Sequence, residues 1–263
     1  MYDDISPILE RWKYAPNDLN VRIIDGVDGR QKLQMRLDLG LLQMELDGRP
    51  DGRRPHKCDT YLTYYEKAAR DGKPGKAGRN FALSPLDCLK LQQEAIQFYH
   101  RYLALMKLGD FARVARDTLR NLRAFDFVSR YATNDDLVWS FEQYRPYVIM
   151  MHTRALASLS LNKGNYDEAL SVIEKGIKDI EMCYHHYSEK DMPDEKFELG
   201  FLKQWADELK NKKPLSETER IVRELDIAVK VEDYERAASL RDQLKGLQNK
   251  GTNRNSYQKG ANQ

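Results

Sequence analysis

The sequence predicts a mainly α-helical protein: an array of helical hairpins with a small β-hairpin at the N-terminus and one more helical hairpin near the C-terminus. Three observations lead there. From residue 84 onward, apolar residues recur at the three- and four-residue spacing of helices. Before that, Leu33, Met35, Leu37 and Leu39 alternate with Lys32, Gln34, Arg36 and Asp38, the period of a strand with one buried face. Near the end, two short amphipathic segments within 215–247 flank Val231-Glu232-Asp233. The expected organisation is a β-hairpin and basic loop region over 1–80, a helical domain over 84–213, a helical hairpin over 215–247, and a disordered polar tail over 248–263.

Composition narrows the class. The chain has 263 residues, of which 41% are hydrophobic and 32% charged, enough apolar content to bury one or two cores. A formal net charge of +2 does not announce a nucleic-acid binder. Cys58, Cys88 and Cys183 are odd in number and lack CxxC spacing, which argues for a reducing, cytoplasmic compartment and against a disulfide framework or zinc ribbon. No run of about 18 apolar residues suggests a membrane span, and MYDDISPILERWKY lacks a signal-peptide core.

In chain order, Ile5 to Tyr14 reads as a short helix ended by Pro16. Val21 to Ile24, the turn Asp25 to Arg30, and Gln31 to Leu39 read as strand, turn and strand, with Asp-Gly pairs supplying a positive φ. Leu41 to Leu46 continues the extended run after Gly40. The DGR-rich segment 47–55 is loop. Asp25, Asp28, Asp47 and Asp51 lack EF-hand spacing, so turn chemistry explains them and no metal is expected. Asp59 to Ala69 forms a short helix that packs through Tyr61, Tyr64 and Tyr65.

Ser84-Pro85 opens the helical part as N-cap and first helical residue. Helices are expected to about Lys107, from Phe111 to about Tyr131, after Asn134 with a break at Pro146, from Asp167 to about Tyr187, and from Pro193 to Lys210. The turns between them repeat. Gly109-Asp110-Phe111-x2-Val114-Ala115, Gly164-Asn165-Tyr166-x2-Ala169-Leu170 and Glu232-Asp233-Tyr234-x2-Ala237-Ala238 each join a polar turn to an aromatic, then small residues on the same face. The second, with Leu156, Ala157 and Ile173, resembles a tetratricopeptide (TPR) repeat. That resemblance implies a stack of hairpins with a binding surface, although the spacing exceeds the usual 34-residue period.

In the last hairpin, Ser216 and Glu219 form a capping box. Ile221, Leu225, Ala228 and Val229 follow as an apolar stripe, and Asp233 caps a second helix. Tyr234, Ala237, Ala238, Leu240, Leu244 and Leu247 are expected on its buried side. Asp233-Tyr234-Glu235-x-Ala237-Ala238-x-Leu240-Arg241-Asp242, preceded by Ile221-x3-Leu225-x2-Ala228, resembles the UVR motif. That motif occurs in the excision-repair subunits UvrB and UvrC, the chaperone subunit ClpC and the kinase activator McsA. The resemblance implies a bacterial protein whose hairpin binds another protein, often a second UVR hairpin, through Ile221, Leu225, Tyr234, Ala237, Ala238, Leu240, Arg241 and Leu244. It implies no catalysis and no cofactor.

Two basic features offer a different reading. Arg53 and Arg54 sit in the 49–79 stretch, where basic residues interleave with tyrosines. Arg113, Arg116, Arg120, Arg123 and Arg130 form a stripe on one helix, with Val114, Leu119, Leu122 and Phe125 opposite. Such a surface suits nucleic-acid backbone or an acidic peptide. It equally suits a solvated face, or pairing with Asp167, Glu168 and Glu174 of a neighbouring helix. No P-loop, GxGxxG, GxSxG or HExxH is present, and Cys183-x-His185-His186 cannot all share one helix face, so neither catalytic nor metal residues are expected. The favoured function is a non-catalytic interaction adaptor; the alternative is a nucleic-acid accessory factor.

Overall fold

The N-terminal ribbon acquires a third strand. The computed structural model describes residues 4–71, 81–186, 197–214 and 217–245, and no side chain before residue 220 in the last stretch. Lys73, Lys76 and Arg79 of the basic stretch, the Ser216–Glu219 capping box, Leu247 and the tail therefore lie outside what is described. A helix α1 (Ser6–Arg11) precedes β1 (Asn20–Asp25), β2 (Gln31–Arg36) and β3 (Leu41–Glu45), which pair antiparallel in the order β1-β2-β3. Ile23 faces Leu33 and Leu33 faces Met44 across the ladders.

Strand β2 ends at Arg36 rather than Leu39, because the Leu37 N–H donates to the Gly40 carbonyl (2.9 Å) and closes a second hairpin turn. Leu37 and Leu39 are consequently exposed. Nor does β2 have one wet face: Lys32, Gln34 and Arg36 are buried along with Leu33 and Met35. The polar face is closed by other polar groups. Lys32 reaches Asp28 (2.8 Å) and Glu45, Gln34 binds Gln43 (2.9 Å), and Arg36 donates to the Trp12 carbonyl (3.1 Å). Trp12, just after α1, packs on the guanidinium of Arg22 (4.1 Å).

Helix α2 (Tyr61–Arg70) starts at a Thr60 cap whose hydroxyl accepts from the Thr63 N–H (3.0 Å). Helix α3 (Pro85–Leu108) carries a reciprocal capping box between Ser84 and Asp87. Then come α4 (Phe111–Tyr131), α5 (Asp135–Glu142), α6 (Arg145–Asn162), α7 (Tyr166–His186) and α8 (Phe197–Lys212). Pro146 lies in the first turn of α6, so it opens a helix instead of kinking one. Helix α3 packs on α4, α4 on α6, and α6 on α7. At Gly176, α6 and α7 approach so closely that a Cβ would lie 2.2 Å from Thr153 Oγ1.

The chain divides into two compact units, Met1–Lys210 and Asn211–Gln263. No boundary falls between the ribbon and the helices, because Leu33 and Met35 of β2 share a core with Leu105, Val114, Met151, Ile173 and Leu202. A second core in the same unit joins Leu62, Tyr65, Leu91, Ala124, Phe125 and Phe141 from α2 to α5. The Asn211–Gln263 unit has a small core of its own, formed by Ile221, Ala228, Ala237 and Leu240.

Candidate functional site

The three repeated turns fold alike. Gly109, Gly164 and Glu232 take positive φ values of +78°, +74° and +58°. The following N–H reaches back to a carbonyl five residues earlier: Asp110 to Leu105 (3.0 Å), Asn165 to Ser160 (2.9 Å) and Asp233 to Ala228 (2.9 Å). The same residue then caps the next helix, its side chain accepting from the N–H of Arg113 (3.1 Å), Glu168 (3.3 Å) or Arg236 (3.1 Å). One short segment thus ends one helix in a left-handed cap and starts the next, which is why each turn needs only two or three residues.

The third turn joins α9 (Glu217–Lys230) to a helix over 234–245, here α10. Ile221, Ala228, Ala237 and Leu240 are buried, with Leu225 and Leu244 packed at their margin. Arg236 on α10 reaches Glu224 on α9 (3.4 Å). Two residues expected on the buried side are outside. Ala238 is exposed, and Tyr234 is 68% exposed. Arg241 is exposed as well, 3.8 Å from Asp242. The first two turns treat their aromatic differently: Phe111 and Tyr166 pack against the main core of their unit. Among the described residues of the hairpin no equivalent mass of apolar side chains receives Tyr234, and Val222 and Val229 on α9 are also open.

Residues 216–250 match the family model of the UvrB/uvrC motif. This segment is a UVR motif. No curated protein and no solved structure matches the chain. In the UVR hairpin, the proposed contact residues therefore split by position. Ile221, Ala237 and Leu240 hold the hairpin together, while Tyr234, Ala238 and Arg241 face outward.

The arginine stripe is built into the fold of the Met1–Lys210 unit. Arg113 and Arg116 both grip Asp47, just after β3, and Arg116 also donates to the Leu46 carbonyl (2.8 Å). Hydrogen bonding from Arg113, helped by Arg116, holds the Asp47 carboxyl down at about 2, against the pull of its partial burial. Arg120 packs a largely covered side chain against Glu94 and lies over Phe98 (4.4 Å); desolvation pulls its pKa down to about 10. Arg123 pairs with Glu66 (2.7 Å) at the surface. The acids that pair with this stripe thus include Asp47, Glu66, Glu94, Asp110 and Asp117. Arg53 contributes its backbone N–H to Asp51 (3.0 Å), and Arg54 pairs with Asp59 (2.8 Å) in the open.

Glu94 and Arg101 are the residues that reading by pattern passed over. Glu94 is fully buried on α3 and accepts from the N–H groups of Tyr61 (2.8 Å) and Leu62 (3.3 Å), so it caps α2 from another helix. Arg101 forks onto Asp117 (2.6 and 2.8 Å) and donates to the carbonyls of Glu45 (3.0 Å) and Gly48 (2.8 Å). A signal existed. Both lie between apolar residues on the inward side of α3, where a charge needs a partner.

Concavities indent this unit among the described residues. One, of about 320 Å³, lies among α3 to α6 and is lined mainly by aromatic side chains, including Tyr99, Phe141, Tyr144 and Tyr147. Its His100 is pushed towards the neutral form by burial. Another, of about 610 Å³, is open and takes in Leu119, Leu122, Ile149 and Met182. Leu119, expected on the buried side of α4, is exposed there. Burial raises the thiols of Cys88 and Cys183 to about 11, and His56 stacks on Tyr64 (4.1 Å). Among the described residues no group of three or more His, Cys, Asp or Glu side chains is arranged to hold a metal ion, and no helix is long and apolar enough to cross a membrane.

Proposed function

We propose that the protein is a non-catalytic cytoplasmic adaptor, in which a TPR-like stack of hairpins carries a UVR hairpin that docks on another protein or on a second UVR hairpin. One observation carries this reading: Tyr234 occupies a turn whose two counterparts pack their aromatic, half-buried, against a core, yet it stays 68% exposed. Among the described residues the hairpin's core is four buried side chains, so apolar surface supplied by a partner would add stability. The UVR match over 216–250 supports the same class of role. The nucleic-acid reading receives less support. Arg113, Arg116, Arg120 and Arg123 already pair with Asp47, Glu94 and Glu66, and freeing Arg120 would take a partner from the buried Glu94.

The test is a crosslinking pull-down from the native host with the full chain, with Tyr234→Ala, and with residues 215–263 deleted. The adaptor reading expects a specific partner captured by the full chain, at least tenfold weaker with Tyr234→Ala and absent after deletion. Identical partners in all three sink it.

A further inference from the structure

Helix α3 presents an apolar stripe to solvent. Leu86 is 59% exposed, Leu89 46%, Ile96 49% and Tyr99 37%. These residues stand on two adjacent ridges of the helix, Leu86-Leu89-Gln92 and Gln93-Ile96-Tyr99, each spaced by three residues. The order is a palindrome about the point between Gln92 and Gln93. In an antiparallel pairing of α3 with its own copy, Leu86 stands opposite Tyr99, Leu89 opposite Ile96, and Gln92 opposite Gln93. Apolar meets apolar at each outer level. At the centre two amides meet; Gln92 already donates one N–H to the Ser140 carbonyl (3.5 Å), which leaves its second N–H and its oxygen for the mate's Gln93. A two-fold interface requires this self-complementarity of its surface.

Charge points the same way. No ionised side chain sits on the two ridges, and Lys90 beside them is already paired with Asp87 (3.6 Å), so two copies meet without like-charge repulsion. The open surface of the four apolar side chains is roughly 400 Å² per copy, as much as a monomer ordinarily leaves bare. With Gln92, Gln93, His100 and the exposed Tyr144 it approaches the ~800 Å² per partner of a standard specific interface. The 320 Å³ aromatic cavity opens beside Ile96, Tyr99 and His100, where the mate's Leu86 and Leu89 would arrive.

We propose that the Leu86–Tyr99 face of α3 is a two-fold homodimer interface, with the aromatic cavity of each copy receiving Leu86 and Leu89 of the other. It is independent of the UVR hairpin. The test is sedimentation of the full chain together with crosslinking. The full chain is expected at twice 30.7 kDa, and Leu89→Asp/Ile96→Asp at 30.7 kDa with an unchanged far-UV circular dichroism spectrum. In a Cys58→Ser background, Gln93→Cys is expected to link to its own copy through a short bis-maleimide, while Lys175→Cys on the exposed face of α7 does not. A full chain that sediments as a monomer overturns the proposal. So does a double Asp variant that stays dimeric, whether through the hairpin or otherwise, or a Gln93→Cys chain that links only to a different protein.

Discussion

Replacing Arg101 with Met tests whether the ribbon and the helices are one folding unit. Arg101 and Asp117 are each at most 1% exposed, and the same guanidinium holds the carbonyls of Glu45 and Gly48 at the end of β3. Removing it leaves Asp117 with Arg116 Nε (3.0 Å) as its remaining ionic partner and frees two carbonyls. Breaking a buried pair costs about 3–5 kcal/mol, and Arg116 keeps the loss near the middle of that range, about 4 kcal/mol. For a unit of this size the melting temperature should fall by about 8–16 °C in scanning calorimetry. Arg101→Met with Asp117→Leu removes both charges and should recover ~2 kcal/mol relative to the sum of the single losses. A single variant within ~1 kcal/mol of the parent, or strictly additive losses, would refute the idea that this buried pair ties β3 to α3 and α4.

Three further outcomes are expected. Gly176→Ala forces a Cβ into Thr153 across the α6–α7 contact and should cost about 2 kcal/mol in urea unfolding. Adding Thr153→Ala should restore only part of it, because the Thr153 Cβ itself would lie 2.9 Å from the new methyl, whereas Thr153→Ser should restore none. Glu232→Gly relieves a left-handed backbone at a non-glycine residue, so the α9 amides should exchange about fivefold more slowly, equivalent to ~1 kcal/mol. Acid should weaken the fold in two stages. Burial lowers the pKa of His152 from 6.5, so the folded chain binds fewer protons than the unfolded one and stability declines as pH falls below that value. Asp47, held at about 2 against 3.8, has the same sign: its contribution is complete above pH 3.8 and is lost as pH falls towards 2. Urea midpoints followed from pH 8 to 3 should show both declines, and Asp47→Asn should shrink only the lower one.

What the sequence determined by itself was local. Caps at Ser84, Asp110, Asn134 and Asp233, the three repeated turns and the UVR motif are settled within five or six residues of one another, because turn and cap chemistry acts over that range. The bounds of α3 and α4 follow for the same reason, whereas α1 ends at Arg11, short of the expected Tyr14.

What only the tertiary structure decided was the second neighbour of each surface. Alternation gave β2 one buried face, but the Trp12 segment and Glu45 close the other. The arginine periodicity marked a face of α4 without saying which acids meet it; beside the local Asp110 and Asp117, three of them come from 47, 66 and 94, far along the chain. Tyr234 shows the limit most clearly. Its turn is chemically the same as those of Phe111 and Tyr166, so the pattern predicts a buried ring. Burial depends on the apolar mass available to receive it, and a hairpin of fewer than thirty described residues has too little to cover the aromatic that its turn presents.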